Sequence, residues 1–288
     1  MPAILLITSI VLSTCRNLLS KRISKLPFGS RSFFLHQSII FLSGSIALIL
    51  FGNISLSALS LSTLLYALLY SIFLICAQWF YTAAFTTGNT SLCSTVYSMG
   101  FILPTVSGAI FWNEPFSIID ILGIILAITA IIYSKKPTNR MGINTGNRYF
   151  IPLIIAMLSS GTLGIIQKIQ QKSPHSNERD SFLLIAFIIA ATISLLAVSI
   201  TRKNSVSNIP KNSLIFAALI GVFFGCCNLL NTILAGILDT AIFFPTLNIG
   251  VIFLSMILGA IFYKEKLSKR ELVVFLCGCA SIALLNAF

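Results

Sequence analysis

Charge is what this 288-residue chain has least of. Asp, Glu, Lys and Arg together make up 9% of it, and only seven of those residues are acidic. An ordinary soluble domain carries about 25%. So thin a charged coat cannot hydrate a surface of this size. A hydrophobic content of 57% and a mean hydropathy of +0.98 say the same, and the chain reads as an all-α integral membrane protein. Histidine is nearly missing, at two residues. Without an H-E-x-x-H motif or a paired mid-span aspartate, intramembrane hydrolysis has no support, and no enzymatic activity is expected. No G-x-x-x-x-G-K-[ST] loop occurs, which disfavours ATP-driven pumping by this chain alone. The connections hold no cysteine, which excludes a disulfide framework. The seven cysteines all lie in apolar runs, where they act as small hydrophobes. Cys277 and Cys279 point to nearly opposite helix faces, so neither a shared metal nor a cofactor is expected. The first apolar run has no basic segment before it, and a cleaved signal peptide is not expected.

Mid-span carboxylates are missing too. Asp120, Asp239 and Glu271 all lie near the ends of apolar runs. Proton-driven carriers of cationic drugs usually place such a group at the shared site, where it trades a proton for a cation. A transported solute would therefore be neutral, zwitterionic or weakly anionic.

What the chain does have is a repeat. Gly108–Asp120 reads GAIFWNEPFSIID and Gly259–Glu271 reads GAIFYKEKLSKRE, an offset of 151 residues. The same offset carries Ser159-Ser160 onto Thr8-Ser9, Gln167-Lys168 onto Arg16-Asn17, Cys227 onto Cys76 and Asn248 onto Tyr97. This is the signature of an internal duplication. A bilayer-crossing helix takes about 20 apolar residues, and ten such runs are predicted, roughly 3–20, 32–51, 61–85, 89–112, 116–133, 149–170, 181–201, 212–237, 240–263 and 268–286. Five fall in each half, 1–134 and 149–288, joined by a polar linker at 135–148. Five being odd, the second half enters the membrane the opposite way up, which makes an inverted repeat of the kind common in secondary transporters.

Fifteen Lys and Arg residues fall in connections 1–2, 5–6, 7–8 and 9–10, from Lys21 to Arg270. The other side has Lys172, Arg179 and the borderline Lys168. The positive-inside rule places the rich side in the cytoplasm, with both termini outside and anionic headgroups as the basic loops' partner. Scattered over four short loops, these residues make a poor nucleic-acid surface.

Polar side chains inside spans are costly and face a cavity or a partner helix. Gln78 and Tyr81 share a face of the third span, Asn228 and Asn231 one of the eighth, and Tyr97 and Asn248 are repeat mates. Ser9 in the first span matches Ser160 in the sixth, beside Thr162. These six helices are expected to line one central cavity, although helix-to-helix glue is the simpler reading for the Ser and Thr residues. Arg16, inside Lys21, either snorkels to the interface or meets an anionic group of the solute. Pro104, deep in the fourth span, removes a backbone hydrogen bond and frees a carbonyl, making a hinge or a static kink. Glu114 and Glu265, at the ends of spans four and nine, read as capping or pairing residues. Gly221-x-x-x-Gly225 allows close packing of the eighth helix.

Two five-span halves with Pro104, Gly108, Glu114 and Gly123 in the first, and Gly259 and Glu265 in the second, resemble the EamA-type carriers of the drug/metabolite transporter superfamily. The second half departs at Ser255 and Val274. The resemblance implies ten helices, with spans 1, 3, 4, 6, 8 and 9 around a central cavity, and alternating access. It is a family whose members handle amino acids, other metabolites, nucleotide sugars and drugs, usually drawn with cytoplasmic termini. The expectation is thus a secondary carrier exporting a small polar metabolite, in a bacterial inner membrane. A non-transporting membrane scaffold and a lipid-headgroup flippase are the alternatives.

Overall fold

The computed structural model describes residues 2–23, 29–55, 59–87, 97, 99–133, 150–201 and 210–263, with single positions beyond. Among them are nine α-helices and no strand. These are α1 (Pro2–Ile23), α2 (Ser30–Phe51), α3 (Leu61–Thr87), α4 (Ile102–Trp112), α5 (Ile118–Tyr133), α6 (Phe150–Lys172), α7 (Arg179–Ile200), α8 (Lys211–Ile237) and α9 (Thr240–Tyr263). Helix is what such runs must form, because hydrocarbon offers backbone N–H and C=O groups no partner outside the helix itself. Six of them, α1, α2, α3, α6, α7 and α8, are long and apolar enough to cross a membrane, while Met99–Trp112 and Thr240–Ser255 are shorter apolar helices. Ile4, Leu50, Ile200 and Ile215 are exposed on the helix surfaces, as lipid-facing residues are. The expected tenth span at 268–286 lies largely outside the described residues, as do Glu265 and the start of the fourth, so the ten-helix count and the inverted repeat stay expectations.

Two compact units divide the described chain, each drawing on both halves of the sequence. One comprises Met1–Ile75 and Ile166–Gly236, the other Cys76–Ile165 and Ile237–Phe288. In the first, α2 and α7 pack along each other, with Phe41 and Phe187 edge to face at 5.8 Å and Phe224 of α8 closing the cluster. Glycine brings the backbones together. A Cβ on Gly44 would fall 2.6 Å from the Phe187 ring, and one on Gly225 would fall 2.5 Å from the Gly44 carbonyl oxygen. The Gly221-x-x-x-Gly225 stripe is therefore the seat of α2 on α8.

Both ends of this unit are tied. At one end Asp180 accepts from Asn53 N–H (2.8 Å), Ser181 exchanges hydrogen bonds with Ser55, and Glu178 accepts from Ser60 N–H and O–H. At the other, buried His36 of α2 meets Ser213 of α8 at 3.0 Å. Connections 52–60 and 173–178 thus share one end, as the alternation of basic and non-basic loops requires.

In the second unit α4 follows a 3-10 turn, Met99–Phe101, and begins at Ile102. Pro104 consequently stands in the first turn of α4. The N–H it lacks has no intrahelical partner there in any case; residues 88–96 and 98 lie outside the described residues, and the hinge or kink at Pro104 stays an expectation. Its ring lies 3.0 Å from where a Cβ on Gly164 would sit, and Gly161 of α6 lies against the Gly100 carbonyl. Small residues again set the packing distance.

Gly225→Ala places a methyl against backbone that cannot swing aside. It is expected to cost about 1–3 kcal/mol, read as a lowered melting temperature of the purified protein in detergent. An unchanged melting temperature would mean that α2 and α8 do not meet at Gly225.

Candidate functional site

The first unit holds a buried polar network. Asn228 of α8 is its centre, 6% exposed. Its amide N–H donates to Phe224 O of its own helix (2.8 Å), and its Oδ1 accepts from the Tyr70 hydroxyl of α3 (2.5 Å). Gln167 of α6 donates through Nε2 to Thr232 Oγ1 (3.1 Å) and to the Tyr70 oxygen (3.2 Å). Thr232 passes its own proton to Asn228 O (2.8 Å). Three helices are joined in this way by side chains that are all buried. By helical rise, Asn228 stands about 13 Å inside the end of α8.

A seam between α1 and α8 runs on from there. Ser9 donates to Asn231 Oδ1 (2.5 Å), Ser13 to Cys227 Sγ (3.3 Å), and the Arg16 guanidinium carbon lies 4.7 Å from the Phe224 ring centre. Each step of three or four residues forward on α1 is matched by an equal step back on α8, so the two helices are antiparallel and keep one register over two turns. Positions i, i+4 and i+7 lie on one helix face, which is why Ser9, Ser13 and Arg16 can all reach α8. Lys168, beside Gln167, is also fully buried.

The network has hydrogen-bonding capacity to spare. Among the described residues, Gln167 Oε1 accepts nothing and Asn231 Nδ2 donates to nothing. This spare donor and spare acceptor can serve a solute.

The other expected site residues fall in the second unit. Tyr81 and Tyr97 stack with ring centres 4.4 Å apart. The Asn248 amide donates to Phe244 O and the Thr162 hydroxyl to Leu158 O, both on their own helices. The Gln78 carbonyl accepts from the Thr82 hydroxyl, and Ser160 packs beside Gly100. The expected set is divided between the two units, with Ser9, Arg16, Asn228 and Asn231 in one and Gln78, Tyr81, Tyr97, Ser160, Thr162 and Asn248 in the other. Reading the sequence did not pick out Tyr70, Gln167 or Thr232. Tyr70 sits in an otherwise apolar run. Gln167 had a signal, since it is the repeat mate of Arg16, and Thr232 stands one turn beyond Asn228.

Glu114 holds a helix end. Asn113 ends α4 in the left-handed conformation (φ 49°), which turns the chain back so that Glu114 N–H bonds Gly108 O. The carboxylate then accepts from Thr240 N–H (2.8 Å) and Thr240 O–H (2.6 Å) at the start of α9. A negative group at a helix N-terminus meets both the unsatisfied N–H groups and the positive end of the dipole. A side chain on Gly108 would collide with Thr240 and Glu114, so the glycine is what lets the cap close. Gly259 lies within α9, and its partner motif residue Glu265 lies outside the described residues.

Six helices long and apolar enough to cross a membrane make this a multi-pass membrane protein. Residues 148–287 match the model of the EamA-like transporter family. The match spans just under half of the chain and is consistent with the drug/metabolite transporter superfamily. Of the 28 solved chains that match, one described only as the crystal structure of a protein superposes with a TM-score of 0.80, covering 99% of this chain and 96% of its own. At 14% identity it shows the fold alone. No curated protein matches.

Glu114→Ala removes the cap on α9 and is expected to lower stability by about 0.5–2 kcal/mol. Glu114→Gln should recover part of that loss, because its amide oxygen can still accept from Thr240. Equal melting temperatures for all three proteins would remove the capping role.

Proposed function

We propose that this protein is a secondary carrier that exports a small polar metabolite, an amino acid or a similar neutral or zwitterionic solute, by alternating access. The supporting observation is the Tyr70–Gln167–Asn228–Thr232 network, with its spare amide donor and acceptor at membrane depth. Ion-coupled or facilitated movement fits a chain without a nucleotide-binding motif. The reading keeps the ten-span inverted repeat, with halves 1–134 and 149–288 and the polar linker 135–148. It also keeps Gln78, Tyr81, Tyr97, Ser160, Thr162 and Asn248 as further proposed solute contacts. The bacterial inner membrane is the proposed location, with the basic loops on its anionic headgroups.

Removal of the Asn228 amide should then stop transport without unfolding the protein. In proteoliposomes preloaded with a metabolite mixture, wild type is expected to exchange at least one labelled amino acid or comparable solute. Asn228→Leu should show less than about a tenth of that rate, as expected for loss of one buried polar contact to solute. Size-exclusion behaviour should be unchanged. Wild-type exchange by Asn228→Leu would remove the network from the solute's path.

A further inference from the structure

Charge inside the first unit is lopsided. By sequence it holds two acidic residues, Glu178 and Asp180. Both stand at one end of the unit and are engaged there, Glu178 by Ser60 and His175, Asp180 by Asn53 and Arg179. Arg16 is far from that end. The register with α8 puts the start of α1 at the acidic end, and helical rise places Arg16 about 21 Å further along. No carboxylate of this unit can reach it.

The guanidinium is held but not satisfied. It lies over the face of Phe224 at 4.7 Å, and does not run to the end of α1 as a snorkelling side chain would. Its one hydrogen bond among the described residues goes to the adjacent Asn17 and is long, at 3.4 Å. A guanidinium has five N–H donors in a planar fork, and stacking on an aromatic ring leaves the edge of that fork open. The fork matches two oxygens of one carboxylate. Arg16 follows Ser9 and Ser13 on the face of α1 that meets α8.

We propose that Arg16 binds a carboxylate of the transported solute, which makes it the specificity-determining residue and defines the solutes as small carboxylate-bearing metabolites. The inference rests on the carrier reading above and narrows it. A cation clamped on an aromatic face selects for the anionic group, while the spare amide groups near Asn228 tolerate different neutral parts.

The test compares each of a panel of free amino acids and short monocarboxylates with its own carboxamide, as inhibitors of exchange and as stabilisers in a melting assay. Dioctanoyl phosphatidic acid is added as a lipid oxyanion. Wild type should respond to at least one carboxylate and at least ten times more weakly to the matching carboxamide. Arg16→Gln should weaken the carboxylate by about 10- to 100-fold and erase its advantage over the carboxamide. Arg16→Lys, which keeps the charge without the fork, should fall between and shows that a loss in Arg16→Gln is not misfolding. Equal responses to carboxylate and carboxamide in wild type would overturn the inference and leave the carrier reading intact. Response to the phosphatidic acid alone would overturn it in favour of a lipid substrate. Response to nothing, with the protein well folded, would overturn both.

Discussion

The close seat of α2 on α8, at Gly44, Gly221 and Gly225, is the contact on which the rest of the first unit depends. Hydrocarbon does not drive helices together as water does, so helices in a membrane are held by van der Waals contact and hydrogen bonds. Contact is strongest where no side chain intervenes. With one face of α8 fixed against α2 and α7, its other face is fixed as well, and that face carries Cys227, Asn228 and Asn231, while Phe224 lies between Phe187 of α7 and Arg16 of α1. The polar side chains are placed by the glycines behind them. The same logic holds in the second unit, where Gly100, Gly161 and Gly164 set the approach of α4, α6 and α9, and Gly108 lets Glu114 reach the start of α9.

Polar groups in such a frame have two possible uses. Where every donor and acceptor is consumed, they hold helices in register, as Ser13 and Cys227 do. Where one remains, they offer binding energy to something that arrives. Gln167 and Asn231 are of the second kind, and Arg16, stacked on Phe224 with its fork open, is the strongest instance. The acidic residues act differently. Glu178, Asp180 and Glu114 all sit at helix ends, each on backbone N–H groups of another segment, so negative charge is used to join elements and positive charge is what the interior holds.

Much of this was legible in the sequence, for definite reasons. Membrane class follows from charge depletion and needs no geometry. Helix positions follow from run length, and the close-packed face of α8 from the four-residue glycine spacing. Asn228 and Asn231 stood out because a buried amide is expensive. What could not be read was partnership across helices. Nothing in the apolar run around Tyr70 marks it out, and its contacts with Asn228 and Gln167 give it a role. The partner of Glu114 was hidden too, since Thr240 is more than a hundred residues away in the chain.

Whether the network binds a solute or merely joins helices is open to direct measurement. The triple substitution Tyr70→Phe, Gln167→Leu, Asn228→Leu removes the side-chain bonds between the three helices, while Thr232 keeps its bond to the backbone of residue 228. Melting temperature without ligand and exchange activity would be measured on the same preparation. A solute site predicts a melting temperature at or above wild type, since buried polar groups give way to apolar ones of similar size, together with loss of exchange. A marked fall in melting temperature, with wild-type exchange by the protein that remains folded, would show the network to be structural and contradict the account.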